Sequence, residues 1–211
     1  MSVSPRRALL VIDVQNEYVT GNLPIEYPDI QSSLANIGRA MDAAQHAGIP
    51  VIVVQNTAPQ GAPVFSKGSP GWELHAVVTT RPYSHYIDKS LPSAFAGTDL
   101  ADRLNAYGID TLVVVGYMTH NCDDSTVRHA LHAGLSVEFL VDATGSLSYE
   151  NSAGRASAEE IHRVFTVVMQ TRFAAVATTE AWIAALQTGE ALSRDNIYAS
   201  NRRARGLAKS A

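Results

Sequence analysis

The stretch Ala8-Leu-Leu-Val-Ile-Asp-Val-Gln-Asn16 runs apolar from Ala8 to Ile12 and turns polar at Asp13. A run that short, that apolar and rich in branched residues reads as a strand buried on both faces, and such strands belong to parallel sheets covered by helices. Working outward, Ala8 to Val14 is joined by similar runs at Pro50 to Asn56, Thr111 to Gly116 and Ser136 to Asp142, with shorter candidates at Tyr86 to Lys89 and Ala174 to Val176. Helical spacing separates them. Ile30, Leu34, Ile37, Met41 and Ala44 share one helical face, with Asp29 as N-cap and Gly48 as terminator. Further helices are predicted at Asp99 to Tyr107, His120 to Ala133, Ala153 to Gln170 and Thr179 to Gln187. The expected fold is α/β, a three-layer α/β/α sandwich on a mostly parallel six-stranded sheet.

With 211 residues, 46% of them hydrophobic, the chain suits one domain, taken as residues 1–190, followed by a tail at 191–211. That tail holds Arg194, Arg202, Arg203, Arg205 and Lys209 against Asp195, and reads as a frayed end or an inter-subunit arm. A net charge of -4 provides no excess of cations for phosphate or anionic lipid, so the expected partner is a small molecule, with no nucleic acid and no membrane. The apolar run after Arg6 and Arg7 is too short for a signal-peptide core, and a cytoplasmic location is expected. Thr57 to Gly71, with Pro59, Gly61, Pro63, Gly68 and Pro70, reads as a loop able to overhang a site.

In doubly wound sheets ligands bind beyond the carboxyl ends of the strands. Asp13, Lys89 and Cys122 all fall there. Cys122 is the only cysteine, so it is either an inert buried side chain or a reactive thiol. Its neighbours Thr119, His120, Asn121, Asp123 and Asp124 are polar, unlike those of a core cysteine. A thiol in the first turn of a helix meets free N–H groups and the positive end of the macrodipole, which favour thiolate and can also hold an oxyanion. Asp13, ending an apolar strand, needs a partner if it is buried. It suits a general base that Lys89 would keep ionised, or else it caps a loop while Lys89 stands in solvent.

Leu9 to Asn16, the run Lys89-Ser-Leu-Pro-Ser-Ala-Phe95 and the stretch Gly116-Tyr-Met-Thr-His-Asn-Cys-Asp-Asp-Ser-Thr126 resemble, in this order, the signature segments of isochorismatase-like cysteine hydrolases. The resemblance covers about Ala8 to Leu186. It implies a Rossmann-like sandwich with Cys122 as nucleophile, Asp13 as base and Lys89 supporting the charge. It further implies a cis peptide between Tyr117 and Met118, and an oxyanion hole from the N–H groups of Met118 and Cys122. The implied reaction is hydrolysis of a C–N bond in a small amide, lactam or ureide through a thioester. The alternative is a non-catalytic binding or redox-sensing member of the fold. Homo-oligomers are common in the family and one is implied here.

Nicotinamidase members bind a metal through an aspartate and two histidines after the second strand. Here Gln55, Asn56, Thr57, Ala58 and Pro59 follow, with no histidine before His75, so no metal and no cofactor are expected. Substrate-wall candidates, from loops near the strand ends, are Gln15, Tyr18, Leu23, Trp72, Phe95, Tyr117, His120 and Tyr149. Each aromatic among them also has an ordinary packing role open to it, and Gln15 and Asn16 steady either Asp13, the substrate or loop backbone. His75, His85, His129, His132 and His162 show no metal-ligand spacing.

Overall fold

β1 (Arg7–Ile12) is buried along its whole length, and its alternation defines the layers. Leu9 and Val11 join one apolar cluster, while Ala8, Leu10 and Ile12 join another on the opposite face. Fully burying side chains such as Leu9, Leu10 and Ile12 stabilises the fold by about 1.5–3 kcal/mol each. The computed structural model describes residues 4–207.

Five more strands extend this centre: β2 (Val51–Asn56), β3 (His85–Lys89), β4 (Thr111–Tyr117), β5 (Ser136–Gly145) and, after a separate hairpin, β8 (Ala175–Ala177). Their order is β3-β2-β1-β4-β5-β8 and every pairing is parallel. α1 (Ile30–His46), α2 (Ala76–Thr79) and α6 (Thr179–Thr188) pack on the Leu9 face, and α3 (Leu100–Ala106), α4 (Asp124–His132) and α5 (Ala158–Arg172) on the other. This is the expected three-layer sandwich. The chain runs outward from β1 through β2 to β3 and then returns to the far side of β1 as β4. The crevice between β1 and β4 is therefore the topological switch point, where such sheets bind ligands.

Two local features fix that crevice. Asp29 caps α1 by accepting from the Ser32 N–H at 2.9 Å, as its sequence position predicts. Gly116 pairs with Ile12 at φ +119°, and a Cβ there would sit 2.0 Å from the Ile12 carbonyl oxygen, so only glycine lets β4 close against the end of β1.

The structure departs from the sequence reading in three places. Ala153 does not begin a helix: β6 (Tyr149–Asn151) and β7 (Gly154–Ala156) form a hairpin, and α5 starts after a capping box between Ser157 and Glu160. The predicted helix from His120 opens with a π-helical turn, Thr119–Asp123, before α4 begins. The segment after α6, read as a frayed end or an inter-subunit arm, is not frayed but docked on its own chain. Buried Arg7 pairs with Glu138 through two 2.8 Å bonds, the Leu192 N–H donates to Glu138, and the Asp195 N–H donates to the Gln170 carbonyl. α7 (Ile197–Ala204) follows, while Lys209 lies outside the described residues. Among the described residues no helix is long and apolar enough to cross a membrane.

Candidate active site

Lys89 stands two strands away from Asp13, at a register where β3 pairs Lys89 with Asn56 of β2. Strands lie about 4.8 Å apart, so its side chain must extend over β2 to reach β1. It does: Nζ passes Asn56 Oδ1 at 3.5 Å and meets Asp13 Oδ2 at 2.7 Å, with both charged side chains closed to solvent. The same ammonium donates to Cys122 Sγ at 3.3 Å. Asp13 itself has φ +52°, a left-handed conformation rare outside glycine, and such residues cluster at functional sites.

Cys122 is carried by the π turn. The Met118 carbonyl accepts from the N–H groups on either side of it, Asn121 at 3.0 Å and Asp123 at 3.2 Å, the second spanning five residues. The Tyr117–Met118 peptide is cis, as the resemblance implies. The polar neighbours do not place this cysteine at the surface. Cys122 is buried, and Thr119 and Asp123 are fully withdrawn from solvent with it.

That burial corrects one electrostatic expectation. Desolvation, and after it the charge of Asp13, pushes the Cys122 thiol well above its ordinary range despite the opposing pull of Lys89. The resting side chain is thus a thiol in the field of a carboxylate, not the thiolate that a helix start alone would favour. Burial likewise lifts the Asp13 carboxyl, against the pull of Lys89, which makes it a stronger base than an exposed aspartate. Burial would lower Lys89, but the charge of Asp13 and the hydrogen bonds to Asp13 and Cys122 outweigh it and hold the ammonium protonated. A weak nucleophile, a base with raised affinity for its proton and a fixed cation are thereby in mutual contact.

An isochorismatase domain profile matches residues 7–181, most of the chain. The chain belongs to the isochorismatase family. An isochorismatase-family crystal structure from Burkholderia xenovorans LB400 is 70% identical, covering 97% of this chain and 98% of that one with a TM-score of 0.96. YddQ of Bacillus subtilis, an uncharacterized isochorismatase family protein, is 33% identical over 83% of this chain and 98% of its own. The ureidoacrylate amidohydrolase RutB of Methylobacterium radiotolerans is 30% identical over 84% of this chain and 78% of its own.

In this isochorismatase-family hydrolase the other candidate residues differ in what they touch. Tyr18 packs at ring distances of 5.2 Å from Phe65 and 5.4 Å from Tyr117, and burial followed by the nearby charges of Cys122 and Asp13 raises its hydroxyl well above the phenol range. It adjoins Cys122 and Asp13. Phe95 stacks on His129 at 4.7 Å in the same apolar cluster as Cys122. His120 and Tyr149 form the outer rim: Nε2 of His120 meets the Tyr149 hydroxyl at 2.9 Å and Nδ1 meets Ser146 Oγ at 3.1 Å. Burial lowers His120 to about 4, so its ring is neutral near neutral pH. Beside this rim a groove of about 360 Å³ is lined by His120, Tyr149, Ile161 and Phe165.

Gln15 and Tyr117 are not placed as substrate contacts. Gln15 Nε2 donates to the Asn56 and Trp72 carbonyls at 2.9 and 2.7 Å, and its Oε1 accepts from the Asn56 N–H at 3.0 Å, so the side chain braces loop backbone. Tyr117 is fully buried and turns its hydroxyl 2.6 Å from Ser33 Oγ on α1, away from Cys122. Trp72 donates from Nε1 to Thr57 Oγ1 at 2.8 Å, and Leu23 packs on the α1-side core. Gln55, at the end of β2, donates to the Trp72 carbonyl at 2.6 Å and accepts from the Tyr86 hydroxyl at 2.8 Å. The sequence reading missed Asn56 under Lys89, and also a buried chain, Asp123, Thr144, Thr119 and His162, running away from Cys122. His162 gave a signal: it stands at helical spacing with Ala158, Thr166 and Met169, the buried face of α5.

Proposed function

We propose that this chain hydrolyses a C–N bond of a small amide, lactam or ureide, with Cys122 as nucleophile, Asp13 as proton carrier and Lys89 as fixed cation, and without a metal or other cofactor. The observation that carries the reading is the convergence of Lys89 Nζ on Asp13 Oδ2 at 2.7 Å and Cys122 Sγ at 3.3 Å in a site closed to water. A relative's name as an ureidoacrylate amidohydrolase supports the bond type, and the bonded brace at Gln55 supports metal independence.

Sγ attacks the substrate carbonyl carbon as its proton passes to Asp13, so the thiolate exists only as the C–S bond forms. The carbonyl oxygen becomes an oxyanion, received by the N–H groups of Met118 and Cys122, with Lys89 balancing the charge. Collapse breaks the C–N bond, and the leaving nitrogen takes the proton from Asp13. Water then attacks the thioester, gives a proton to Asp13, and releases the acid as that proton returns to Sγ. Tyr18, Phe95, His120 and Tyr149 wall the substrate.

The test is release of ammonia or amine from a panel of amides, lactams and ureides by wild type and Cys122→Ala, with and without EDTA. Activity that survives EDTA and vanishes in Cys122→Ala is the expected result. Activity lost to EDTA would overturn metal independence, and activity retained by Cys122→Ala would overturn the thiol mechanism.

A further inference from the structure

Asp123 follows the nucleophile in the chain, yet none of the steps above uses it. It is fully buried, no cation pairs with it, and its Oδ1 has no hydrogen-bond partner among the described residues. An ionised carboxylate left so bare is costly, whereas a neutral carboxylic acid leaves only a carbonyl-like oxygen unpaired.

Its other oxygen opens a chain of contacts in which protons can be counted. Asp123 Oδ2 lies 2.6 Å from Thr144 Oγ1, Thr144 Oγ1 lies 2.9 Å from Thr119 Oγ1, and Thr119 Oγ1 lies 3.1 Å from the Gly145 carbonyl and 3.0 Å from His162 Nδ1. The Gly145 carbonyl only accepts. His162 Nδ1 accepts from Thr119 or donates to it according to the ring's tautomer. Thr119 therefore directs its single proton towards the Gly145 carbonyl, a contact that no other proton can make. The contact between the two threonines then needs the proton of Thr144, and the 2.6 Å contact has none left unless the carboxyl supplies it.

We propose that Asp123 is a positioning residue that resides in the active site as a neutral acid, donating through Thr144 and Thr119 towards the Gly145 carbonyl, so that Asp13 is the only carboxylate charge facing Cys122 and Lys89. The charged and titratable groups around it agree. Asp13, Lys89 and Asp124 act on it directly, Tyr18 and Tyr117 lie within its field, and His162 ends the chain with a ring that burial lowers to about 4 and so keeps neutral. Burial, its largest influence, raises Asp123 to about 7. With the acid neutral, Asp13, Lys89 and the thiol sum to zero charge. Ionised, it would add a second negative charge to the field of Asp13 and Lys89, which both act on the sulfur, and so oppose thiolate formation during attack.

The inference shares with the proposed function only the premise that Cys122 is the nucleophile. Its test needs no substrate. Cys122 is the only thiol, so iodoacetamide alkylation of the intact protein, followed from mildly acid to mildly alkaline pH, reports the charge beside it without ambiguity. Wild type is expected to show a step near neutrality above which the rate climbs less steeply. Asp123→Asn, which keeps the shape and removes the charge, should lack the step and react about tenfold faster on the alkaline side, the effect of about one pKa unit at the thiol. Thr144→Val removes the one donor to the ionised form and should move the step to higher pH. Infrared difference spectra of wild type should show a protonated carboxyl band that disappears through the same step and is missing from Asp123→Asn, a readout that holds even where a variant folds poorly. Parallel alkylation profiles, or no such band on the acid side, would overturn the proposal. A step and band in a protein that hydrolyses nothing in the panel would leave it standing while the proposed reaction fell.

Discussion

Lys89 Nζ and Asp13 Oδ2 meet at 2.7 Å with neither side chain open to solvent. Their pairing binds stability and chemistry together. Lys89→Met strands a buried carboxylate and is expected to destabilise the fold by about 3–5 kcal/mol. The double variant with Asp13→Asn should recover much of that loss while remaining inactive. Urea unfolding of the two single variants and the double variant measures the coupling, and strictly additive losses would contradict the pairing.

Asp13→Asn tests the proton-carrying role separately. The amide keeps the shape but takes up no thiol proton, so kcat on a substrate found in the panel should fall about 10²- to 10⁴-fold with a small change in KM. A loss confined to KM would make Asp13 a binding group.

Tyr117→Phe removes the 2.6 Å contact with Ser33 and nothing that faces the sulfur. We expect a loss of about 1 kcal/mol in unfolding free energy and unchanged KM. A raised KM would restore Tyr117 to the substrate wall.

The raised Asp123 carboxyl also predicts a pH dependence of stability. Folding lifts it from 3.8 to about 7, so between those values the native state holds a proton that the unfolded state has lost. Its contribution is greatest on the acid side, falls as pH rises towards about 7, and is constant above. Measured as the difference between wild type and Asp123→Asn, denaturant stability should move in favour of the variant as pH rises through this window.

The sheet was legible because parallel strands buried on both faces are written as unbroken apolar runs. Asp13 and Lys89 were legible because each places a charge at such a strand's end. The chemistry of the cysteine was only half legible. Its sequence position at a helix start predicts a thiolate, while the desolvation that reverses this comes from packing against residues distant in the chain. Tyr117 was read as a wall residue from its place at a strand end, but its alternation with Val113 and Val115 along β4 sets it on the α1 face, where its hydroxyl meets Ser33. The hairpin from Tyr149 to Ala156 is too short and polar to give a strand signal, but the pair Ser157 and Glu160 was a readable helix start. Asp123 looked like an exposed polar neighbour, since nothing local reports that Thr144 comes to meet it.

The solitary thiol has a consequence under oxidative stress. If peroxide converts Cys122 to a sulfenic acid, the chain contains no second cysteine to capture it as a disulfide. Repair of a reversibly oxidised enzyme must therefore come from outside, from a small thiol able to reach a sulfur that the folded protein keeps almost entirely covered. The same shielding slows the first encounter with the oxidant, so damage is expected to be slow to arrive and, once present, slow to clear.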